Sequence, residues 1–210
     1  MKISGLSNFS TINYPGKSCC VLFAKGCPLK CRYCYNKILL KEPEISWEEL
    51  EEFLESRKNF LDAVVFSGGE PMMQYKELLE KVSYVKSLGY FVGLHLTGLN
   101  SDKEEFEKII QLSDWIGYDF KGTKEKYKKI CGLSFEDFER GLDIILKSGK
   151  SFEIRTTLDS NLTLEDLKSM EGFLLGKGVK DWFLQRVMLE EGTFEEHLKF
   201  DSKNINIKYR

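Results

Sequence analysis

The sequence predicts an α/β protein folded as an open, partial (β/α)6 TIM-like barrel of parallel strands. Two observations predict it. Short β-prone runs alternate with amphipathic helical stretches along the whole chain. Most helical stretches also open on the same start signal, a Ser or Thr followed three residues later by an acid.

The strand runs are Cys19–Ala24, Ala63–Ser67, Tyr90–Leu96, Trp115–Phe120, Phe152–Leu158 and Trp182–Met188. Helix starts fall at Ser46/Glu49, Ser101/Glu104, Ser134/Asp137 and Thr163/Asp166. In each, the hydroxyl accepts from an orphan backbone N–H and the acid complements the positive helix end. Tyr75–Leu88 lacks the cap, yet Leu78, Leu79, Val82 and Val85 share one helical face, and Gly89 follows as a stop. Right-handed crossovers curl six such units toward a barrel two units short of closure. No linker or low-complexity tract divides the chain. A single domain over 1–210 is expected, with a core barrel at about 18–190 and a tail at about 191–210. An active site belongs on the loops after the strands.

Composition narrows the function classes. The 210 residues carry 31 basic and 33 acidic side chains, a net charge of −2, which excludes a general nucleic-acid or anionic-membrane binder. No apolar run approaches the ~20 residues that cross a bilayer. The opening Met1-Lys2-Ile3-Ser4-Gly5 is not a secretory signal, so the expected location is the cytoplasm.

Six cysteines in a reducing compartment point to metal chemistry rather than disulfides. After the first strand, Cys27, Cys31 and Cys34 put three thiols on one short loop in a Cys-x3-Cys-x2-Cys spacing. Structural zinc wants four ligands, usually from two paired knuckles; there is no second knuckle, and His95 and His197 are the two histidines. A [4Fe–4S] cube held by three cysteines keeps one iron open for a substrate. Spacing alone leaves both groups open. The second strand runs into Ser67-Gly68-Gly69-Glu70-Pro71, at the same end of the sheet as the cysteines. Cys19 and Cys20 point to opposite faces of a strand and cannot jointly grip one metal; with Cys131 they read as buried packing.

Cys27, Cys31, Tyr33 and Cys34 match a Cys-x3-Cys-x-aromatic-Cys loop, and Gly68 to Pro71 match a Gly-Gly-Glu-Pro turn. With them the chain resembles the radical S-adenosylmethionine (SAM) superfamily. Within it, Lys2–Ile12, Tyr14-Pro15-Gly16-Lys17, Cys34-Tyr35-Asn36, Asp119-Phe120-Lys121, Glu153–Thr157 and Leu184-Gln185 are similar to glycyl-radical activating enzymes. The nearest resemblance is to anaerobic ribonucleoside-triphosphate reductase activating proteins, over about residues 2 to 188. One stretch departs: Leu94-His95-Leu96-Thr97-Gly98 stands where relatives usually carry Leu-Asp-Thr-Asn-Gly. That Asp helps hold a monovalent cation in pyruvate formate-lyase activating enzymes, so His95 marks a changed cation site, a drift in substrate or a hydrogen-bonded strand residue.

The resemblance implies a radical SAM fold, a [4Fe–4S] cluster on Cys27, Cys31 and Cys34, and SAM as second cofactor. It implies an anaerobic oxidoreductase that cleaves SAM reductively and generates a glycyl radical on a partner enzyme, an anaerobic ribonucleotide reductase. The electrons would come from flavodoxin or ferredoxin. Gly68 and Gly69 would let backbone approach the methionyl end, with Glu70 accepting from the ammonium directly or through the turn. Arg155 and Lys121 would meet the SAM carboxylate, Arg155 being better suited to a bidentate clamp. Asp119 falls in the same neighbourhood and orients Lys121; Tyr33 shelters cluster and adenine; Gln185 is a candidate for the ribose. Two alternatives stand beside this: radical chemistry on a small molecule or peptide, as in a 7-carboxy-7-deazaguanine synthase, and a non-catalytic zinc or iron–sulfur module. Residues 121–129 hold five lysines and read as a solvated face that could also meet an acidic partner. In Asp201–Arg210 the alternation of Ile205, Ile207 and Tyr209 suits an added edge strand.

Overall fold

Each of the six strand runs becomes a strand, and one more lies on either side of them. The computed structural model describes residues 1–37, 41–187 and 198–209. Its strands are β1 (Ile3–Ser10), β2 (Cys19–Ala24), β3 (Ala63–Gly68), β4 (Phe91–Leu96), β5 (Trp115–Asp119), β6 (Ser151–Thr157), β7 (Asp181–Gln185) and β8 (Asn206–Tyr209). They form one sheet in sequence order. β1 pairs antiparallel with β2, and every later pair is parallel. No pairing joins β1 to β8 among the described residues, so the sheet stays open as expected.

Helices α1 (Trp47–Arg57), α2 (Tyr75–Ser87), α3 (Glu104–Leu112), α4 (Lys124–Cys131), α5 (Phe135–Ser148) and α6 (Leu164–Gly176) cover one face. Three of the four start signals hold: Ser46, Ser134 and Thr163 accept from the backbone N–H three residues on, and Ser46 and Thr163 complete reciprocal capping boxes. Ser101 does not. α3 starts later, after Lys103, and the buried Ser101 hydroxyl donates instead to the Asp137 carbonyl of α5 (2.8 Å). A tertiary acceptor has outcompeted the local cap. α4 is a further correction, since the lysine run is a helix that buries Tyr127, Ile130 and Cys131 along one side. Gly132 closes it at φ 85°, its N–H bonding the Lys128 carbonyl (2.9 Å). β1 is the third. Its register slips twice against β2, which blurs the alternation by which a strand is read. The sixth strand ends at Gln185; Met188, His197 and the expected boundary near 190 lie outside the described residues.

Strand alternation sorts the core into two parts. Cys20, Leu22, Val64, Phe66, Leu94, Ile116, Tyr118, Ile154 and Trp182 point into the layer under the helices. Cys19, Val21, Ala63, Val65 and Trp115 face the concave side, where Tyr14 from the β1–β2 loop packs on them. The adjacent pair Cys19 and Cys20 is thus split between the two faces and fully buried, as the strand geometry requires. The concave face is apolar at the strand starts and polar at their C-terminal ends.

Candidate functional site

β3 ends in the Gly68-Gly69 bend, where close backbone contacts require glycine. Gly68 sits at φ +98°, and a Cβ on it would lie 2.5 Å from the Phe23 Cα. One on Gly69 would lie 2.0 Å from the Gly26 carbonyl oxygen. The missing side chains therefore admit the backbone of β2 and of the cysteine loop. Backbone bonds stitch the contact: Gly69 N–H donates to Ala24 O (2.9 Å) and Glu70 N–H to Gly26 O (3.0 Å). Asn36 Nδ2 donates to Gly68 O (3.0 Å), tying the far end of the loop to the same bend.

Glu70 is fully buried at the start of a single 3-10 turn, Pro71–Gln74. Its Oε1 accepts from Met72 N–H (3.1 Å) and its Oε2 from the Thr97 hydroxyl at the end of β4. Burial pushes its pKa up to about 7, against the pull of those two bonds and of the Lys121 charge. Both carboxylate oxygens of Glu70 are thus engaged within the fold, one by the turn it opens and one by the end of β4.

The cysteine loop leaves β2 and is held from three sides. Besides the Gly-Gly bend, Lys30 N–H donates to Cys131 O at the end of α4 (2.9 Å). Arg32 Nε and Nη2 reach one oxygen of Asp159 after β6 (3.0 and 2.9 Å), and Nη2 also donates to the Ser160 hydroxyl (2.8 Å). The thiols of Cys27, Cys31 and Cys34 are half-buried and line a pocket of about 310 Å³ with Leu29, Lys30, Arg32 and Lys37. Burial raises the Cys27 thiol to about 12 and the Cys31 thiol above its usual value.

Beside the loop lies a buried charge group. Register places Asp119 of β5 opposite Arg155 of β6. Arg155 Nε and Nη2 bond Asp119 Oδ1 (3.0 and 2.8 Å), and Lys121 Nζ bonds Oδ2 (3.1 Å). Burial alone would raise the Asp119 pKa, yet Arg155 and Lys121 outweigh it and hold the carboxyl down at about 2. Lys121, almost fully buried, has its pKa lifted well above the usual lysine value because the Asp119 charge overrides desolvation. Arg155 thus grips a protein carboxylate with two of its three nitrogens. Gly117 makes the space, since a Cβ there would sit 2.7 Å from the Arg155 guanidinium carbon.

The sequence-predicted residues thus gather in part. Cys27, Cys31 and Cys34 share a pocket; Tyr33, Lys121, Asp119 and Arg155 adjoin it, with Lys121 5.7 Å from the Tyr33 ring centre. Gly68, Gly69, Glu70 and Pro71 are the scaffold behind. Gln185 ends β7, half-buried, with its carbonyl accepting from Leu158 N–H (2.8 Å). His95 sits in β4 with Nδ1 2.9 Å from the Ser67 hydroxyl and Nε2 3.2 Å from the Asn13 carbonyl, edge-on to Trp115. It is a hydrogen-bonded strand residue, one of the three readings open for it. Arg32, Asp159, Thr97 and Gly117 were not picked out by sequence reasoning, because each acts through a long-range partner that no spacing reveals.

The donor set suits an iron–sulfur cube. Three thiols line one pocket, yet among the described residues no three His, Cys, Asp or Glu converge closely enough for a single metal ion. The Tyr33 hydroxyl is buried and has no hydrogen-bond partner among the described residues.

Residues 21–174 match the radical SAM superfamily. The chain belongs to this superfamily. It is a radical SAM enzyme, and members of the superfamily use a [4Fe–4S] cluster with SAM. A Methanocaldococcus jannaschii protein named for glycyl-radical enzyme activation is 31% identical over 94% of this chain and 84% of its own length. The pyruvate formate-lyase-activating enzyme of Clostridium pasteurianum is 27% identical over 77% of this chain and 70% of its own. Among solved structures, Streptococcus suis SuiB superimposes with a TM-score of 0.67 at 15% identity, over 90% of this chain. The chain spans 48% of SuiB, and that likeness speaks for the fold. No helix among the described residues is long and apolar enough to cross a membrane.

Proposed function

We propose that this radical SAM enzyme removes a hydrogen from the Cα of one glycine in a partner enzyme and leaves a glycyl radical there, the partner being an anaerobic ribonucleoside-triphosphate reductase. The carrying observation is the three-thiol pocket set beside the Asp119–Arg155–Lys121 group in a sheet with one side open. A buried target needs that side: a loop of a folded partner enters laterally where a closed barrel would exclude it. The relatives named for activating glycyl-radical enzymes support the same reading.

In this reading Cys27, Cys31 and Cys34 hold the cluster. When bound, cluster and SAM supply a reductively generated 5′-deoxyadenosyl radical; the chain positions the reactants and excludes water. Lys121 and Arg155 present positive charge to the SAM carboxylate, with Asp119 fixing both cations so that no reorganisation is needed on binding. Tyr33, with its ring beside Lys121, shelters the cluster and adenine, and Gln185 at the end of β7 is the candidate for the ribose. Gly68, Gly69, Glu70 and Pro71 form one rigid turn against which the cysteine loop is seated. The chain works as a single domain, 1–210, in the cytoplasm, with flavodoxin or ferredoxin as reductant. His95 bonds the Ser67 hydroxyl and the Asn13 carbonyl within the fold, which supports reading it as a structural strand residue.

The test is anaerobic reconstitution with iron and sulfide, reduction with dithionite, and incubation with SAM and an anaerobic ribonucleotide reductase. The expected result is 5′-deoxyadenosine together with a doublet EPR signal on the reductase. 5′-Deoxyadenosine without a doublet on any glycyl-radical enzyme would refute the activase reading.

A further inference from the structure

The run of five lysines at 121–129 divides sharply in the structure. Lys121 turns inward to Asp119; Lys124 pairs with Glu136 (3.2 Å) and Lys126 with Asp166 (2.6 Å). Lys128 and Lys129, in the last turn of α4, are exposed and enter no ion pair among the described residues. That last turn abuts the cysteine loop through the Lys30 N–H to Cys131 O bond, and Lys30 is likewise exposed and outside any such pair. Lys30 and Lys37 stand at the lip of the thiol pocket. The Asp159 carboxylate nearby is spent on Arg32 and buried. α4 carries four lysines against one acid, Glu125.

A chain of net charge −2 thus carries three exposed lysines, outside any ion pair among the described residues, on the pocket-lining loop and on the helix turn bonded to it. Such a patch raises the local concentration of an acidic protein and orients it. We propose that Lys30, Lys128 and Lys129 form the docking surface for an acidic one-electron carrier protein. The carrier's reduced cofactor gives up one electron, the group held by the cysteines gains it, and no bond forms or breaks at the interface. The proposal rests on the reading that the site takes in an electron before each SAM cleavage.

The test reverses the three charges together, Lys30→Glu, Lys128→Glu and Lys129→Glu, in the iron-loaded chain. Calorimetric titration with oxidised flavodoxin as probe should show binding to the wild type that weakens as salt rises. The triple variant should bind roughly tenfold more weakly or worse. Flavodoxin-driven SAM cleavage should fall with it, while in the double variant Lys128→Glu, Lys129→Glu, which keeps the pocket-lining Lys30, dithionite-driven cleavage stays at the wild-type rate. A set of Lys→Gln replacements, falling between the two, guards against a variant that misfolds. Unchanged flavodoxin binding in the triple variant, or no binding by the wild type at low salt, would overturn the proposal. So would a parallel loss of dithionite-driven cleavage in the double variant. If the wild type cleaves no SAM even with dithionite, the underlying reading fails first, and the two failures are told apart.

Discussion

The two ends of the concave face are built on opposite principles. At the strand starts Tyr14 lies 5.4 Å from Trp115 and covers Gly93, over a floor of Ala63, Val65, Val21 and Cys19. At the strand ends Asp119, Arg155 and Lys121 are desolvated together, and Glu70 is buried behind them. Apolar burial gives the closed end its stability without any partner having to be exact. The mouth holds charges that cost heavily to bury and persist because each has a counter-charge or a hydrogen bond. The separation lets the mouth be optimised for a ligand while the other end keeps the sheet assembled.

Removing the plug is the strongest way to test that separation. Tyr14→Ala should cost about 4 kcal/mol of unfolding free energy, as for other large aromatic truncations. Dithionite-driven SAM cleavage per folded molecule should be unchanged at low temperature. A drop in SAM affinity in the folded variant would mean that the two ends are coupled.

The converse change is Gly69→Ala. Its Cβ would meet the Gly26 carbonyl, which is backbone and cannot swing away. We expect about 3 kcal/mol of destabilisation by overpacking, together with loss of iron uptake as the cysteine loop is pushed off the turn. Denaturant unfolding and iron analysis read the two effects separately. Intact iron uptake would show that the loop does not depend on its seat.

Glu70 adds a pH dependence. Its pKa is raised in the folded chain, so the unfolded chain releases this proton first. Stability from this group is complete below about pH 4.5 and declines as pH rises through about 7. The loss is on the order of 3 kcal/mol. Glu70→Gln removes the titration while keeping an acceptor for Met72 N–H. Unfolding of the metal-free chain between pH 5 and 8 should therefore be flatter for Glu70→Gln than for the wild type. Equal slopes would mean that another group carries the dependence.

These residues also mark what the sequence made legible. Strands β2 to β7 could be read because each is a short apolar run bounded by polar turns, and three caps because the bonding partner lies three residues away. The three cysteines and the Gly-Gly-Glu-Pro turn could be read because their chemistry is local to a motif. α4 was hidden since lysines dominate its composition and only Tyr127, Ile130 and Cys131 betray the buried side. Ser101 misled because a partner 36 residues away claimed its hydroxyl. The engagement of Arg155 by Asp119 follows from strand register, which pairs two residues 36 apart.

Arg32 and Asp159 are 127 residues apart and give the smallest and most local test. Asp159 is 1% exposed, and its other oxygen accepts from Asn161 N–H (2.8 Å), so its carboxylate is fixed before Arg32 arrives. Arg32 is half exposed, which limits the pair's share of global stability to about 1 kcal/mol. Its leverage lies elsewhere, because Arg32 sits between the thiols of Cys31 and Cys34 and anchors their loop to the end of β6. Arg32→Ala should barely move the unfolding midpoint while iron is stripped by a chelator several-fold faster. Arg32→Lys should recover part of the retention, since one ammonium cannot make both the carboxylate and the Ser160 contacts in the same geometry. Stripping at the wild-type rate in both variants would mean that the bonds from Lys30 to Cys131 and from Asn36 to Gly68 suffice to hold the loop. The mouth would then be organised from the β2–β3 side alone.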